Sequence, residues 1–240
     1  MTNLIKAEFY RIRHSNKLSL LAILMCCGLG VFLSFSSSFF DINRISLSQD
    51  VSLGLFLAVI GSTAPIGLHF QNRTACYEIM DGKSPHAIIL SRFVIYIPIA
   101  TVFFFVPICI TLLISDGGTE SVKFLALLFV ILLRLLVFAI CCCLILKNTV
   151  GIMLMMPRIM LETIPMMLIN GMQSNEAIDP SKFNSILNWL PTFQCYSLGG
   201  NVDSWLMVQI IIGFIVEAII MYTLAYISYR KKWSIQLMSH

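Results

Sequence analysis

Charge is what this sequence has least of: 12% of its residues are Asp, Glu, Lys or Arg, while 58% are hydrophobic. A soluble domain carries about a quarter charged residues, so an ordinary water-soluble fold is excluded. Histidine is also scarce. His14, His86 and His240 fall outside the long apolar runs and His69 stands alone at the end of one, which leaves no cluster for a proton relay. Paired carboxylates, HExxH and GxSxG are absent, so hydrolytic chemistry has no machinery to use. The eight cysteines contain no CxxC spacing, and Cys141, Cys142 and Cys143 are consecutive. On a helix such side chains fan out and cannot converge on one metal, so they read as small apolar residues. Cys195, in a polar stretch, is the one candidate for a reactive thiol.

A phosphate-binding loop is lacking too. Residues 81–84 read DGKS, but the nucleotide pattern requires a glycine five residues before Gly82, and that position is Tyr77. The apolar run that begins at Ala87 is far too long for the helix behind such a loop. No catalytic residue, metal, resident cofactor or nucleic-acid partner is expected of this chain.

What the sequence does have is six apolar segments near the length of about 20 residues that spans hydrocarbon, at 18–40, 51–70, 87–114, 122–146, 149–171 and 204–228. The expected fold is an all-α integral membrane protein, with residues 18–240 forming one six-helix domain. Lysine and arginine orient it. With the N-terminus inside, Lys6, Arg11, Arg13, Lys17, Arg73, Lys83, Arg92, Lys147, Arg230, Lys231 and Lys232 face the cytoplasm, against Arg44, Lys123 and Lys182 outside. Positive charge is retained on the cytoplasmic side, so both termini are predicted to lie there. The first apolar segment lacks a small-residue cleavage site and is expected to stay as a helix.

Residues 1–17 place Ile5, Phe9 and Ile12 at helical spacing, with Lys6, Arg13 and Lys17 elsewhere, which predicts an amphipathic helix lying along the inner lipid surface. Between the fifth and sixth spans, Asp179 and Pro180 can start a short helix with Phe183, Ile186, Leu187 and Leu190 on one face. A second short helix after Pro191 can end at Gly199 and Gly200. These extracellular helices, 179–200, form either a partial lid or an ordinary folded loop. Tyr222, Tyr226, Tyr229 and Trp233 read as interfacial anchors of the last span.

Four ionisable residues remain inside the spans: Arg134, Arg158, Glu162 and Glu217. Each lies about 14 to 20 Å along its span at 1.5 Å per residue. A lone charge there costs about 2.5 to 3.5 kcal/mol, so all four should face protein or water. Arg158 and Glu162, four apart, can pair on one helix; Arg134 and Glu217 pair only if their helices are neighbours. Two roles fit: a polar stripe along a translocation path or subunit interface, or salt bridges knitting the fourth, fifth and sixth spans together. Pro157 and Pro165 bracket one pair and predict a kink or break in the fifth span between them. A stand-alone secondary transporter or channel built on these pairs is the alternative to the reading that follows.

The loop 71–86 joins the second and third spans. Arg73 to Met80 can make two helical turns, Asp81 and Gly82 end them, and Ser84 with Pro85 can start the next helix. Here the chain resembles the permease subunits of ABC-2 type exporters of the ATP-binding-cassette class. The resemblance rests on the basic amphipathic start MTNLIKAEFYRIRHSNKL, on FQNRTACYEIMDGKSPHAIILSR as the first intracellular loop, and on the two short outside helices. It covers essentially the whole chain. Where relatives often carry a basic residue after the GKS-like turn, this chain has Pro85 and His86. The resemblance implies a multi-pass protein of a bacterial inner membrane that pairs with a second permease copy and docks a separately encoded ATPase on each half, with ATP and Mg held in that partner. It implies a coupling helix that contacts the ATPase through Arg73, Tyr77, Glu78, Asp81, Gly82 and Ser84, and as cargo an amphipathic, antimicrobial or toxin peptide.

Overall fold

The computed structural model describes residues 2–14, 17–35, 44–71, 82–146, 150–173, 187–200 and 202–237. Among them all regular structure is helical. Helix α1 is Thr2–His14, α2 Lys17–Ser34 and α3 Arg44–Gln71. Helix α4, Pro85–Ala100, passes through a π-helical turn at Thr101–Phe105 into α5, Val106–Ser115. Helix α6 is Thr119–Leu146, α7 Val150–Met153, α8 Met155–Gln173, α9 Pro191–Ser197 and α10 Ser204–Leu237. Four stretches are long and apolar enough to cross a membrane: Asp50–Leu68, Pro85–Ser115, Thr119–Leu146 and Ser204–Arg230. The chain is therefore a helical membrane protein. Of the other two expected spans, the first appears as α2, whose apolar part Leu20–Ser34 is shorter, and the fifth as the interrupted pair α7 and α8.

Proline explains both interruptions. The π-helical turn directly precedes Pro107, and Val106 N–H donates back to the Thr101 carbonyl. A widened turn there spares the Pro107 ring a collision with the carbonyl four residues earlier. In the fifth span the break falls at Leu154, before the two prolines rather than between them as expected. The Pro157 ring would strike the carbonyl of Met153, so the chain ends α7 there and restarts with Pro157 in the first turn of α8, where a missing N–H costs nothing. Helix α8 then continues through position 165.

Helix α6 forms the centre: 72% of its apolar window is buried, against 22% for α10. It packs on α10 along one side and on α3 along another. Helices α2 and α3 pack against each other extensively, and small residues let their backbones approach closely. A Cβ on Gly30 would stand 2.7 Å from the Gly54 carbonyl oxygen, and one on Gly54 would overlap Ser34 Oγ and the Gly30 carbonyl. At the end of the bundle away from α1, Arg44 reaches Asp116 at 3.5 Å and Glu120 at 3.8 Å, which ties the start of α3 to the α5–α6 turn.

Helix α1 turns one face into the bundle. Its buried face is Leu4, Glu8 and Ile12, spaced four apart, whereas Phe9 is 62% exposed. Glu8 is wholly buried and ion-paired to Arg92 of α4, and Tyr96 Oη donates to Glu8 Oε1 at 2.7 Å. Arg92, counted in the sequence among the cytoplasmic charges, is 1% exposed. A charge so placed holds α1 against α4 by an ion pair in the core and does not face solvent. Tyr229, expected at the lipid interface, is buried as well.

The glycine contacts make a matched test. Gly54→Val should force α2 and α3 apart and lower stability by about 1 to 3 kcal/mol. Gly28→Ala, where a new Cβ meets nothing within 4 Å, should be neutral or stabilising by up to about 1 kcal/mol. Thermal unfolding in detergent checks both; equal losses would mean that close approach is not what Gly54 provides.

Candidate functional site

The four mid-depth charges meet in one network. Arg134 of α6 donates from Nε to Glu217 Oε2 of α10 at 2.6 Å, so the required neighbouring of those two helices is met. Arg158 of α8 donates from Nε to Glu162 Oε1 at 2.8 Å, from Nη1 to Glu217 Oε1 at 2.5 Å and from Nη2 to Glu217 Oε2 at 3.2 Å. Glu217 is thus shared by two guanidiniums, and helices α6, α8 and α10 converge on it. The Arg158 guanidinium also lies over the Phe138 ring, 4.1 Å from its centroid, where the face of the ring attracts a cation.

Helix α9 completes the network. Thr192 donates to Glu162 Oε2 from its backbone N–H at 3.0 Å and from Oγ1 at 2.7 Å. Gln194 Oε1 accepts from Arg134 Nη1 at 3.2 Å while its Nε2 donates to the Asn188 carbonyl at 2.7 Å. Both side chains are buried. Arg134 lies about 20 Å along α6 at 1.5 Å per residue, so the segment 187–200 descends to the charges instead of resting on the ends of the helices. Gly213 of α10 makes the room: a Cβ there would stand 2.9 Å from Arg134 Nη1.

Beside the network lies an open groove of about 840 Å³. Its floor is formed by the four charged residues, and its walls include Phe138, Leu161, Trp189, Ile212 and Val216. The charges are formally balanced and each is hydrogen-bonded, which removes most of the cost of placing them at this depth.

Of the other predicted site residues, Gly82 and Ser84 are described and lie at the α1 end. Arg73, Tyr77, Glu78 and Asp81 fall outside the described residues, as does the first outside helix up to residue 186. Gly82 has φ of 70°, the left-handed conformation that favours glycine. Ser84 is the N-cap of α4, its Oγ accepting from Ala87 N–H at 3.3 Å with Pro85 in the first turn. The serine of the GKS string therefore begins a helix. His86, next in line, shares a 2.5 Å hydrogen bond with Tyr222 and stacks on Tyr226 at 4.4 Å, which joins the loop exit to α10.

Sequence reasoning missed Glu8, Arg92, Thr192, Gln194 and Gly213. Glu8 carried a readable signal, since it sits midway between Leu4 and Ile12 on one helical face; the others are ordinary until the helices are placed. Cys195, the expected reactive thiol, is buried, and burial with Glu162 nearby pushes its thiol well up, so it stays protonated and inert. Among the described residues no group of three His, Cys, Asp or Glu is placed to hold a metal. Comparison with family models, with curated proteins and with solved structures returns no match.

Glu217→Gln leaves two guanidiniums competing for Glu162 and should destabilise by about 3 kcal/mol or more. Arg134→Met with Glu217→Gln retains the balanced Arg158–Glu162 pair and should cost less than the two single changes added together. Unfolding temperatures of the three variants check this; strict additivity would mean the pair is not coupled.

Proposed function

We propose that this chain is a permease subunit of an ABC-2 type exporter, paired with a second permease copy and driven by separately encoded ATPases that hold the ATP and Mg. The cargo is an amphipathic peptide and the setting a bacterial inner membrane with both termini cytoplasmic. The observation that carries the reading is mechanical. Helix α4 leaves its loop at Gly82–Ser84 and is clamped to α1 by the Arg92–Glu8–Tyr96 cluster and to α10 by His86. A force applied to residues 71–86 would move α1, α4 and α10 together, which is what a bundle driven from outside itself requires.

A stand-alone ion-coupled transporter is less well supported. It would need a carboxylate left without a partner, and both Glu162 and Glu217 are paired to arginine in one hydrogen-bonded network. The balanced network suits a structural hub whose shape changes as a unit.

Co-purification tests the proposal. A tagged chain should capture an ATPase subunit from its native membrane, and Tyr77→Ala with Glu78→Lys should abolish both capture and ATP-linked export while leaving the unfolding temperature unchanged. Full export by that double variant would refute docking through this loop.

A further inference from the structure

The groove beside the ion network has a polarity that formal charge hides. A guanidinium has five N–H donors. Arg134 spends two of them, one on Glu217 and one on Gln194, and Arg158 spends three, on Glu162 and Glu217. Among the described residues Arg134 Nη2 has no acceptor, and that atom is not fully buried. The carboxylates stand the other way: Glu217 accepts three hydrogen bonds from the arginines, and Glu162 accepts one from Arg158 and two from Thr192. The floor is neutral in net charge and rich in unspent donors. It suits a neutral acceptor. A full anion would have to displace a carboxylate, and a cation would meet guanidiniums.

The walls narrow the choice further. Leu161 is 70% exposed and Val216 50% exposed, and both line the groove with Trp189, Ile212 and Phe138. Helix α8 packs against α7, α9 and α3 and meets α10 through the Arg158–Glu217 bonds, and the groove lies open between α8 and α10. Its occupant needs apolar side groups together with closely spaced neutral carbonyls. A peptide backbone has both, and inside a membrane its carbonyls need donors.

We infer that this groove is a binding site for an uncharged apolar peptide segment, whose backbone carbonyls accept from Arg134 and Arg158 while its side chains lie against Trp189, Leu161 and Val216. The inference deepens the peptide-export reading by placing a cargo site, and it rests on that reading for its physiological role only. Thr192 holds Glu162 through its backbone N–H and its hydroxyl, and Gln194 holds Arg134 by accepting from Nη1, so both arginines are fixed in place beside the groove.

The test uses the full chain in nanodiscs of ether-linked phosphatidylcholine, which brings no ester carbonyl. The probe is a capped, uncharged nonapeptide of Leu, Ala and Ser bearing one diazirine leucine. Saturable photolabelling of Leu161, Trp189 or Val216 is expected, with unlabelled peptide competing and dodecanol or dodecyl phosphate failing to compete. Val216→Trp, which fills the groove and replaces no residue of the ion network, should reduce labelling at least tenfold at an unchanged unfolding temperature; if it does not fold, Ile212→Trp serves the same purpose. Undiminished labelling in the folded variant, or displacement by dodecyl phosphate as effective as by peptide, would overturn the site and in the second case make it a lipid headgroup site. No ATPase is present in this assay. Peptide labelling without ATPase capture would therefore keep the groove and remove the exporter reading, and ATPase capture without labelling would do the reverse.

Discussion

A carboxylate halfway across a hydrocarbon layer must be matched by charge and hydrogen bonds or be expelled, and Glu217 is matched twice. Its two oxygens take bonds from Arg134 and Arg158, which come from different helices. That one shared anion makes α6, α8 and α10 interdependent, since moving any of them uncovers a charge where none can be left bare. The rest of the far half of the bundle follows from it: Gly213 must be small, Gln194 must reach down, and Thr192 must hold Glu162 so that Arg158 remains free to turn toward Glu217.

The α1 half uses the same device with a different geometry. Glu8 and Arg92 pair in the core with the Tyr96 hydroxyl, so a helix that looks like a surface anchor is bolted to the helix that leaves the loop at residues 71–86. His86 adds a second link, to α10. The two clusters sit at different depths and share α10 between them, directly through Glu217 and through its Tyr222 and Tyr226. The last helix thus contacts both the polar centre and the start of α4. Apolar packing alone would not fix these contacts, because lipid competes equally well for leucine.

Neutral charge and neutral hydrogen-bonding capacity are separate quantities, and the groove illustrates the difference. Two guanidiniums and two carboxylates cancel in charge, yet a guanidinium brings five donors while each carboxylate here already accepts three. The surplus sits on the arginine side. A surplus of donors at zero net charge favours a neutral acceptor over an anion or a cation.

Composition and periodicity alone determined that the chain is helical and lives in a membrane, because apolar runs of that length have no other stable place. They also located Gly82 and Ser84 as turn and cap, since those roles depend on local backbone geometry. The ions at Arg134, Arg158, Glu162 and Glu217 were legible as a set, since charge in an apolar run stands out in a linear reading. Tertiary structure alone decided which face of α1 is buried, that Arg92 belongs to the core, that the break in the fifth span precedes Pro157, and that Thr192 and Gln194 descend to the charges. The physical reason is common to all four. On a helix that is apolar on every side, periodicity names no inner face, so orientation is set by contacts between residues distant in the chain.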